Sequence, residues 1–67
     1  MRRCKYPIDE STFNSLKGKP RVELNDYCEA NFPAYILYGY GFYGAIGVFK
    51  DENGGYYIDY VEGESCD

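Results

Sequence analysis

Apolar residues near the start of the chain repeat at helical spacing over one short stretch. Phe13 and Leu16 fall on one face of a helix whose first turn Asp9 can cap, and Gly18 follows as a stop signal. The pattern therefore predicts a single short helix at this point. Residues 1–6, which precede it, are predicted to form an N-terminal arm.

The segment between this helix and Pro33 is less regular. Residues 21–26 favour a short extended piece or an entry loop. Residues 26–31 favour a second helical turn or two, with Asn25 as the cap and Pro33 enforcing the exit. The N-terminal half is therefore predicted to be the helical part of the domain.

From residue 34 onward the pattern changes to short aromatic and β-branched runs separated by turn residues, which is typical of strands. Three strands are predicted, over residues 34–40, 43–50 and 55–62. The stretch DENGG between the last two predicts a tight hairpin, because Asn53-Gly54 supplies the positive φ angles that such a turn needs. Strands joined in this way in chain order form a meander.

Side chains alternate between the two faces of a strand, and this period of two predicts the register. The third strand places Tyr56, Ile58 and Tyr60 on one face and Tyr57, Asp59 and Val61 on the other, while the second places Ile46 and Val48 opposite Phe49.

The predicted fold class is α+β, a small two-layer domain. The N-terminal helix, joined by the second short helix if it forms, packs on a three-stranded antiparallel β-meander. The 67 residues make one domain, residues 1–67, and residues 63–67 are predicted to be a flexible tail. A chain of this length buries only about 60% of the surface that its unfolded form exposes, so its core is small and many of its nine tyrosines are expected to be half exposed.

Charge is distributed unevenly along the chain. Residues 1–21 carry six basic residues against two acids, a net charge of +4, whereas residues 22–67 carry one lysine against nine acids, a net charge of −8. The acidic part repels nucleic acid and lipid headgroups and attracts basic protein surfaces. Alternatively, the acids simply keep a tyrosine-rich domain soluble.

The cysteines and the absence of histidine limit the chemistry. Cys4, Cys28 and Cys66 are an odd number of thiols, and the chain begins without the pattern of a signal peptide, so we expect a reduced, cytoplasmic setting, that of the host cell if a phage encodes the chain. The cysteine spacing does not fit a zinc knuckle or ribbon, and we expect no metal and no cofactor. Residues 31–49 are uncharged but too rich in Gly and Tyr for a membrane helix.

Gly39, Gly41 and Gly44 have the spacing of a phosphate-binding motif. With Ile46 they resemble the glycine-rich loop of protein kinases, and the resemblance covers residues 39–46 and none of the other kinase motifs. A dinucleotide site would need a helix directly after the glycines, and the following sequence favours strands. We therefore interpret the glycines as the bend of an aromatic hairpin, where rings lie over bare backbone.

An enzyme is not predicted. Asp59 is the one acid inside a strand pattern, and it more often faces solvent or pairs with a cation than acts as a general base. Cys28 has no histidine to activate it and is more simply a packed thiol.

Tyrosine provides a large contact area at low entropy cost, and Tyr40 and Phe42 have little to bury against at a predicted bend. The functional hypothesis is a non-enzymatic, acidic protein-binding module that docks on a basic surface of a larger protein, without binding nucleic acid directly. By class analogy that surface is a nucleic-acid-binding groove, and the chain an inhibitor of the phage anti-defence, anti-CRISPR kind. The residues predicted to contact the partner are Tyr38, Tyr40, Phe42, Tyr43, Asp51, Glu52, Tyr56, Asp59, Tyr60, Glu62 and Glu64.

Two alternatives remain open from the sequence. One is an SH3-like adaptor, in which the tyrosines line a groove for a proline-rich peptide and the acids select flanking basic residues. The other is a subunit of a homo-oligomer that buries the aromatic surface between copies.

Overall fold

Three strands and three helical segments form two layers in the computed structural model, which describes residues 2–39 and 41–63. Along the chain these elements are β1 (Arg2–Ile8), α1 (Glu10–Leu16), α2 (Arg21–Asn31), a π-helical turn (Tyr35–Gly39), β2 (Phe42–Lys50) and β3 (Tyr56–Glu62). The sheet is antiparallel in the order β1-β3-β2, and the helices cover one of its faces. The predicted α+β class with helices on a three-stranded antiparallel sheet is confirmed.

The first strand is not the predicted one. An arm was predicted over residues 1–6, but residues 2–8 form a strand. This strand pairs along its whole length with β3, from Arg2 opposite Glu62 to Ile8 opposite Tyr56. The central strand is therefore β3, and the sheet is not a meander in chain order. Because β3 has neighbours on both sides, no place beside it remains for residues 34–40.

The strand predicted over residues 34–40 is wrong for the described residues 34–39, and Tyr40 lies outside the described residues. Tyr35–Gly39 forms a π-helical turn in which the carbonyl of Pro33 accepts the N–H groups of Ile36 and Leu37 at 3.0 and 3.2 Å. These bonds satisfy the backbone locally, which an isolated strand cannot do. Ile36 is buried by the turn and belongs to the core.

Helix α1 confirms the prediction, since the Asp9 side chain accepts the N–H of Thr12 at 2.8 Å and Gly18 follows with φ of +80°. Helix α2 corrects it: the helix begins at Arg21, directly after Pro20, so residues 21–26 are helical and not extended. Asn25 is not its cap. The Asn25 side-chain oxygen instead accepts the N–H of Ala45 at 2.7 Å and so holds α2 against β2, an edge strand of the sheet.

The hairpin between β2 and β3 is confirmed. The N–H of Asp51 donates to the carbonyl of Gly55 at 2.8 Å, and the Asp51 carboxylate accepts the N–H of Asn53 at 2.6 Å. Only the glycine of the predicted pair adopts a positive φ, at +88°, while Asn53 keeps a negative one.

The predicted register holds for β3 and fails in β2. Two irregularities interrupt the pairing of β2, between Phe42 and Gly44 and between Ala45 and Gly47. Ile46 is the inserted residue of the second, so it does not share the core face of Val48, and Ala45 occupies that face instead. A bulge of this kind is a feature that period-two reasoning cannot locate.

The pairing assigns the remaining side chains to two faces. We call the side under the helices the covered face; it carries Arg2, Cys4, Tyr6 and Ile8 of β1, Tyr56, Ile58, Tyr60 and Glu62 of β3, and Phe42, Ala45, Val48 and Lys50 of β2. We call the opposite side the open face; it carries Arg3, Lys5 and Pro7 of β1, Tyr57, Asp59 and Val61 of β3, and Gly44, Gly47 and Phe49 of β2.

The core lies on the covered face and is largely aromatic. The ring of Phe32, at the end of α2, contacts Tyr6, Tyr60 and Phe42 with centroid distances of 4.2, 5.0 and 5.6 Å. Those three rings come from β1, β3 and β2, so Phe32 joins α2 to all three strands. Ile58 and Cys28 belong to the same core and are fully buried.

Candidate protein-docking surface

The structure separates the residues that were predicted to form one docking surface. Tyr38 and Tyr43 are exposed, while Phe42 and Tyr56 are half-buried and Tyr60 is buried in the aromatic core. Asp51 and Glu52 lie in the hairpin loop at the end of the sheet remote from Phe42. Asp59 and Glu62 are buried, and Tyr40 and Glu64 lie outside the described residues.

Three tyrosines are presented to solvent at one end of the domain. The exposed fractions of Tyr35, Tyr38 and Tyr43 are 65%, 83% and 60%. The first two come from the π-helical turn, and Tyr43 comes from the start of β2, where Phe42 pairs with Glu62. We call Tyr35, Tyr38, Phe42 and Tyr43 the tyrosine end.

Helical geometry explains the exposure of this end. The turn buries Ile36 and half-buries Leu37, so Tyr35 and Tyr38 project away from the core. π-helical turns are rare and occur frequently at functional sites. Sequence reasoning missed Tyr35 because a strand over residues 34–40 gives no reason to single it out. Its position directly before a buried isoleucine was the available signal.

One glycine of the motif, Gly41, has a packing role at this end. Gly41 has φ of +82°, and a Cβ there would lie 2.7 Å from the carbonyl oxygen of Gly63. The Gly63 N–H donates to the Gly41 carbonyl at 2.8 Å, and a Cβ on Gly63 would lie 2.5 Å from the ring of Tyr43. Bare backbone therefore lets the Tyr43 ring lie over Gly63. The predicted aromatic hairpin is wrong, because Tyr35–Gly39 is a π-helical turn and not a strand. The close packing at Gly41 is the part of the structural interpretation that holds.

Two depressions flank the start of β2. The smaller, of about 170 Å³, is lined by Glu29, Leu37, Tyr38 and Phe42. The larger, of about 350 Å³, is lined by Arg21, Asn25, Tyr43, Gly44, Ala45, Ile46 and Val61. A tyrosine of the tyrosine end lines each depression, Tyr38 the smaller and Tyr43 the larger.

Two of the predicted docking acids are engaged inside the molecule. Asp59, 6% exposed, pairs with Arg3 across the open face, and Glu62, 5% exposed, pairs with Arg2 on the covered face. Hydrogen bonds to these carboxylates raise the pKa values of both arginines. The basic residues of β1 therefore neutralise two acids of β3, and the free negative charge lies elsewhere, on exposed acids such as Asp26 and Glu29 of α2.

Cys4 and Cys28, the two thiols among the described residues, and the buried phenol of Tyr60 have raised pKa values. Burial raises the pKa of Cys28 to about 12, and burial followed by the neighbouring Cys4 raises the pKa of Tyr60 to about 12. Burial, and then the Glu62 carboxylate, raises the pKa of Cys4. A protonated thiol is a poor nucleophile and a poor metal ligand. Within residues 2–39 and 41–63, no three side chains of His, Cys, Asp or Glu cluster as a metal site would require.

None of the helices in the described part of the chain combines the length and the apolar content that a bilayer crossing requires. No protein-family model matches the sequence, and neither a curated protein nor a solved structure shows significant similarity to it. A functional proposal therefore rests on the geometry and charge of the surface itself.

Proposed function

We propose that the chain is a non-enzymatic protein-binding module that docks through its tyrosine end on a basic surface of a larger protein. The observation that carries this proposal is the exposure of Tyr35, Tyr38 and Tyr43 by 60% or more at one end of the domain, beside the exposed carboxylate of Glu29. Other aromatic rings of the same chain are packed in its core. The three exposed tyrosines are therefore aromatic side chains that remain free to contact a partner.

Aromatic side chains dominate the energetics of interfaces. A tyrosine ring buries a large area while ordering only two side-chain angles, and it keeps a hydroxyl for a hydrogen bond. Truncating one such hot-spot residue typically weakens binding by about 2 kcal/mol or more. Three exposed rings at one end supply enough contact area for a stable interface core if a partner encloses them.

The charge of the surface favours a basic partner. Asp26 and Glu29 are exposed on α2, the helix that borders the smaller depression, and the chain as a whole has a net charge of −4. Complementary charge increases the rate of association and selects against acidic partners. Because Asp59 and Glu62 are each paired with an arginine of the sheet, the acids of α2 are the ones that would attract a basic partner at the tyrosine end.

We further propose that the partner is a nucleic-acid-binding protein. A small acidic chain that presents tyrosines suits a groove that otherwise binds nucleic acid, as in inhibitors of the phage anti-defence, anti-CRISPR kind. Class analogy supports this proposal. The SH3-like alternative gains nothing from the fold, because the described residues form an open three-stranded sheet and not a closed barrel.

Affinity capture with matched variants tests the proposal. The wild-type chain is expected to capture a larger protein with a basic groove, and the Tyr35→Ala/Tyr38→Ala variant is expected to bind that purified protein about 30-fold more weakly. Phe49→Ala is the control, since Phe49 is also exposed but lies on the open face at the opposite end of β2. Increasing salt should weaken the wild-type complex.

Three outcomes would overturn the proposal. Equal loss with Phe49→Ala and with the double variant would show that the tyrosine end has no special role. Capture of proline-rich peptides with little salt dependence would favour the adaptor. Light scattering that gives a stable homo-oligomer, dissociated by the double variant, would assign the same tyrosines to contacts between copies.

A further inference from the structure

The smaller depression at the tyrosine end has the size of a receptor for one side chain. Its volume of about 170 Å³ is roughly that of five or six water molecules, and is well below the 300 to 1,000 Å³, on the order of magnitude, of ordinary small-molecule sites. Three elements line it: α2 supplies Glu29, the π-helical turn supplies Leu37 and Tyr38, and β2 supplies Phe42. The end of a long side chain fits this space, whereas a nucleotide does not.

Among the described residues, Glu29 is the one charged residue that lines this depression. In the part of the chain that the structure describes, no lysine or arginine lies within ion-pair distance of its carboxylate. Asp59 and Glu62 differ, since each has an arginine of β1 against it. The carboxylate at the depression is therefore available for a cation from outside.

On the open face, a similar combination of a carboxylate and an aromatic ring is occupied by cations of the chain itself. There the carboxylate of Asp59 and the ring of Tyr57 lie two residues apart on β3, and β1 supplies cations to both. Arg3 pairs with Asp59, and the Lys5 ammonium lies 4.8 Å from the centroid of Tyr57. The smaller depression repeats the combination of a carboxylate and aromatic rings, but the cation is missing among the described residues.

We propose that this depression receives the guanidinium of an arginine from the partner protein. A planar guanidinium stacks on aromatic rings such as Tyr38 and Phe42 and donates two parallel hydrogen bonds to a carboxylate such as Glu29. Leu37 contacts the aliphatic part of the arginine side chain. This inference rests on the proposed function and names the chemistry by which the tyrosine end selects a basic surface.

Short peptides test the inference without the partner. The full chain, labelled for NMR, is titrated with Gly-Arg-Gly amide, with the citrulline analogue as a neutral control of the same shape, and with Gly-Lys-Gly amide. The arginine peptide is expected to shift the resonances of Glu29, Leu37, Tyr38 and Phe42 with a weak Kd of about 10 mM, because an exposed cation–π contact and an exposed ion pair contribute only about 1 kcal/mol each. The citrulline peptide is expected to cause no such shifts.

Two variants of equal charge change locate the site. Glu29→Gln is expected to weaken the arginine peptide about five- to tenfold, and Asp26→Asn, another exposed acid of α2, by less than about twofold. Circular dichroism should show both variants to be folded. Equal weakening by the two variants, or undiminished binding to Glu29→Gln, would overturn the inference. Binding of the lysine peptide as tightly as the arginine peptide would overturn its guanidinium form.

The two proposals can fail separately. If the peptide does not bind while the Tyr35→Ala/Tyr38→Ala variant still loses the partner, docking stands and the arginine receptor is wrong. If the peptide binds the depression but no partner depends on the tyrosines, the receptor stands and the docking proposal is wrong.

Discussion

The two faces of the sheet bury their side chains by different means. On the covered face, the ring of Phe32 contacts rings from all three strands, and Ile58 and Cys28 are fully buried in the same core. On the open face, Asp59 is buried beneath Arg3, and Tyr57 lies between Lys5 and Phe49. The covered face depends mainly on apolar contact, with the Arg2–Glu62 ion pair at one end of it, and the open face depends on charges and on cations held against rings.

This difference follows from the size of the chain. A domain of 67 residues has enough helix to cover only one face of its sheet, so the other must be stabilised by side chains of the sheet itself. Long basic side chains of β1 serve that purpose, because their aliphatic parts cover surface while their charged ends reach solvent. Apolar packing is insensitive to salt, and paired charges are sensitive to it. The two faces should therefore respond to different perturbations.

The largest effect should come from the centre of the covered face. Phe32→Ala removes the ring that joins α2 to the three strands and is expected to destabilise the fold by about 3 to 5 kcal/mol. A domain of 67 residues has a total stability of roughly 3 to 10 kcal/mol, so this variant is expected to be largely unfolded in circular dichroism.

Two further variants keep that test informative. Phe32→Leu retains an apolar side chain and should lower the free energy of unfolding by about 1 to 2 kcal/mol in urea titrations. Phe49→Ala is the matched phenylalanine of the open face, 42% exposed, and should cost less than about 1 kcal/mol. Equal costs for Phe32→Leu and Phe49→Ala would mean that the two faces do not differ in the way described.

The covered face should also be the one that is sensitive to alkali. Burial raises the pKa of Cys28 from 9.0 to about 12, so the folded chain keeps a proton that the unfolded chain releases. The stabilisation is complete below about pH 9 and is lost as the pH rises toward about 12, because the unfolded state then binds fewer protons. Urea titrations between about pH 7 and pH 11 should show the free energy of unfolding falling with pH.

Cys28→Ala provides the comparison for that experiment. The variant is expected to be less stable at neutral pH, since it leaves a small cavity, but to lose less stability than the wild type between about pH 9 and pH 11. Tyr60, whose pKa burial also raises to about 12, should leave part of the decline in place. Parallel pH curves for the two proteins would contradict the assignment to Cys28.

The sequence predicted best the elements with local signals. A capping Asp9 with Phe13 and Leu16 predicted α1, and the turn at Gly54 predicted the hairpin of β2 and β3. Strand β1 was missed because its partner is distant in the sequence, with Arg2 opposite Glu62, 60 residues away. The alternation of Cys4, Tyr6 and Ile8 was the available signal, but the basic residues Arg2, Arg3 and Lys5 favoured an arm.

The aromatic segment before β2 was wrongly predicted as a strand because its local signal was strong and its tertiary context was not visible in the sequence. The run from Tyr35 to Gly39 has strong strand propensity, yet its hydrogen bonds are local and begin at Pro33. Once β1 takes the second edge of β3, tertiary structure overrides propensity. For the candidate surface, the sequence singled out Tyr38, Phe42 and Tyr43, but nothing local could show that Asp59 and Glu62 would be paired, because both arginines come from β1.

The smallest effect should come from the charge buried on the open face. Asp59→Asn keeps an oxygen that accepts from Arg3 but removes the negative charge, and should cost about 1 kcal/mol at low salt. Because Asp59 is buried while Arg3 reaches solvent, raising the salt concentration should screen this pair only in part and bring the stability of the wild type partway toward that of the variant. Glu23→Gln is the control, because its exposed partner Lys19 lies 3.9 Å away, and such pairs contribute only about 0.3 to 0.5 kcal/mol. Equal losses of stability and equal salt responses for Asp59→Asn and Glu23→Gln would contradict this assignment. The Arg3–Asp59 pair would then stabilise the open face no more than an exposed ion pair does, and the contact between the Tyr57 and Phe49 rings would be its main stabilising contact.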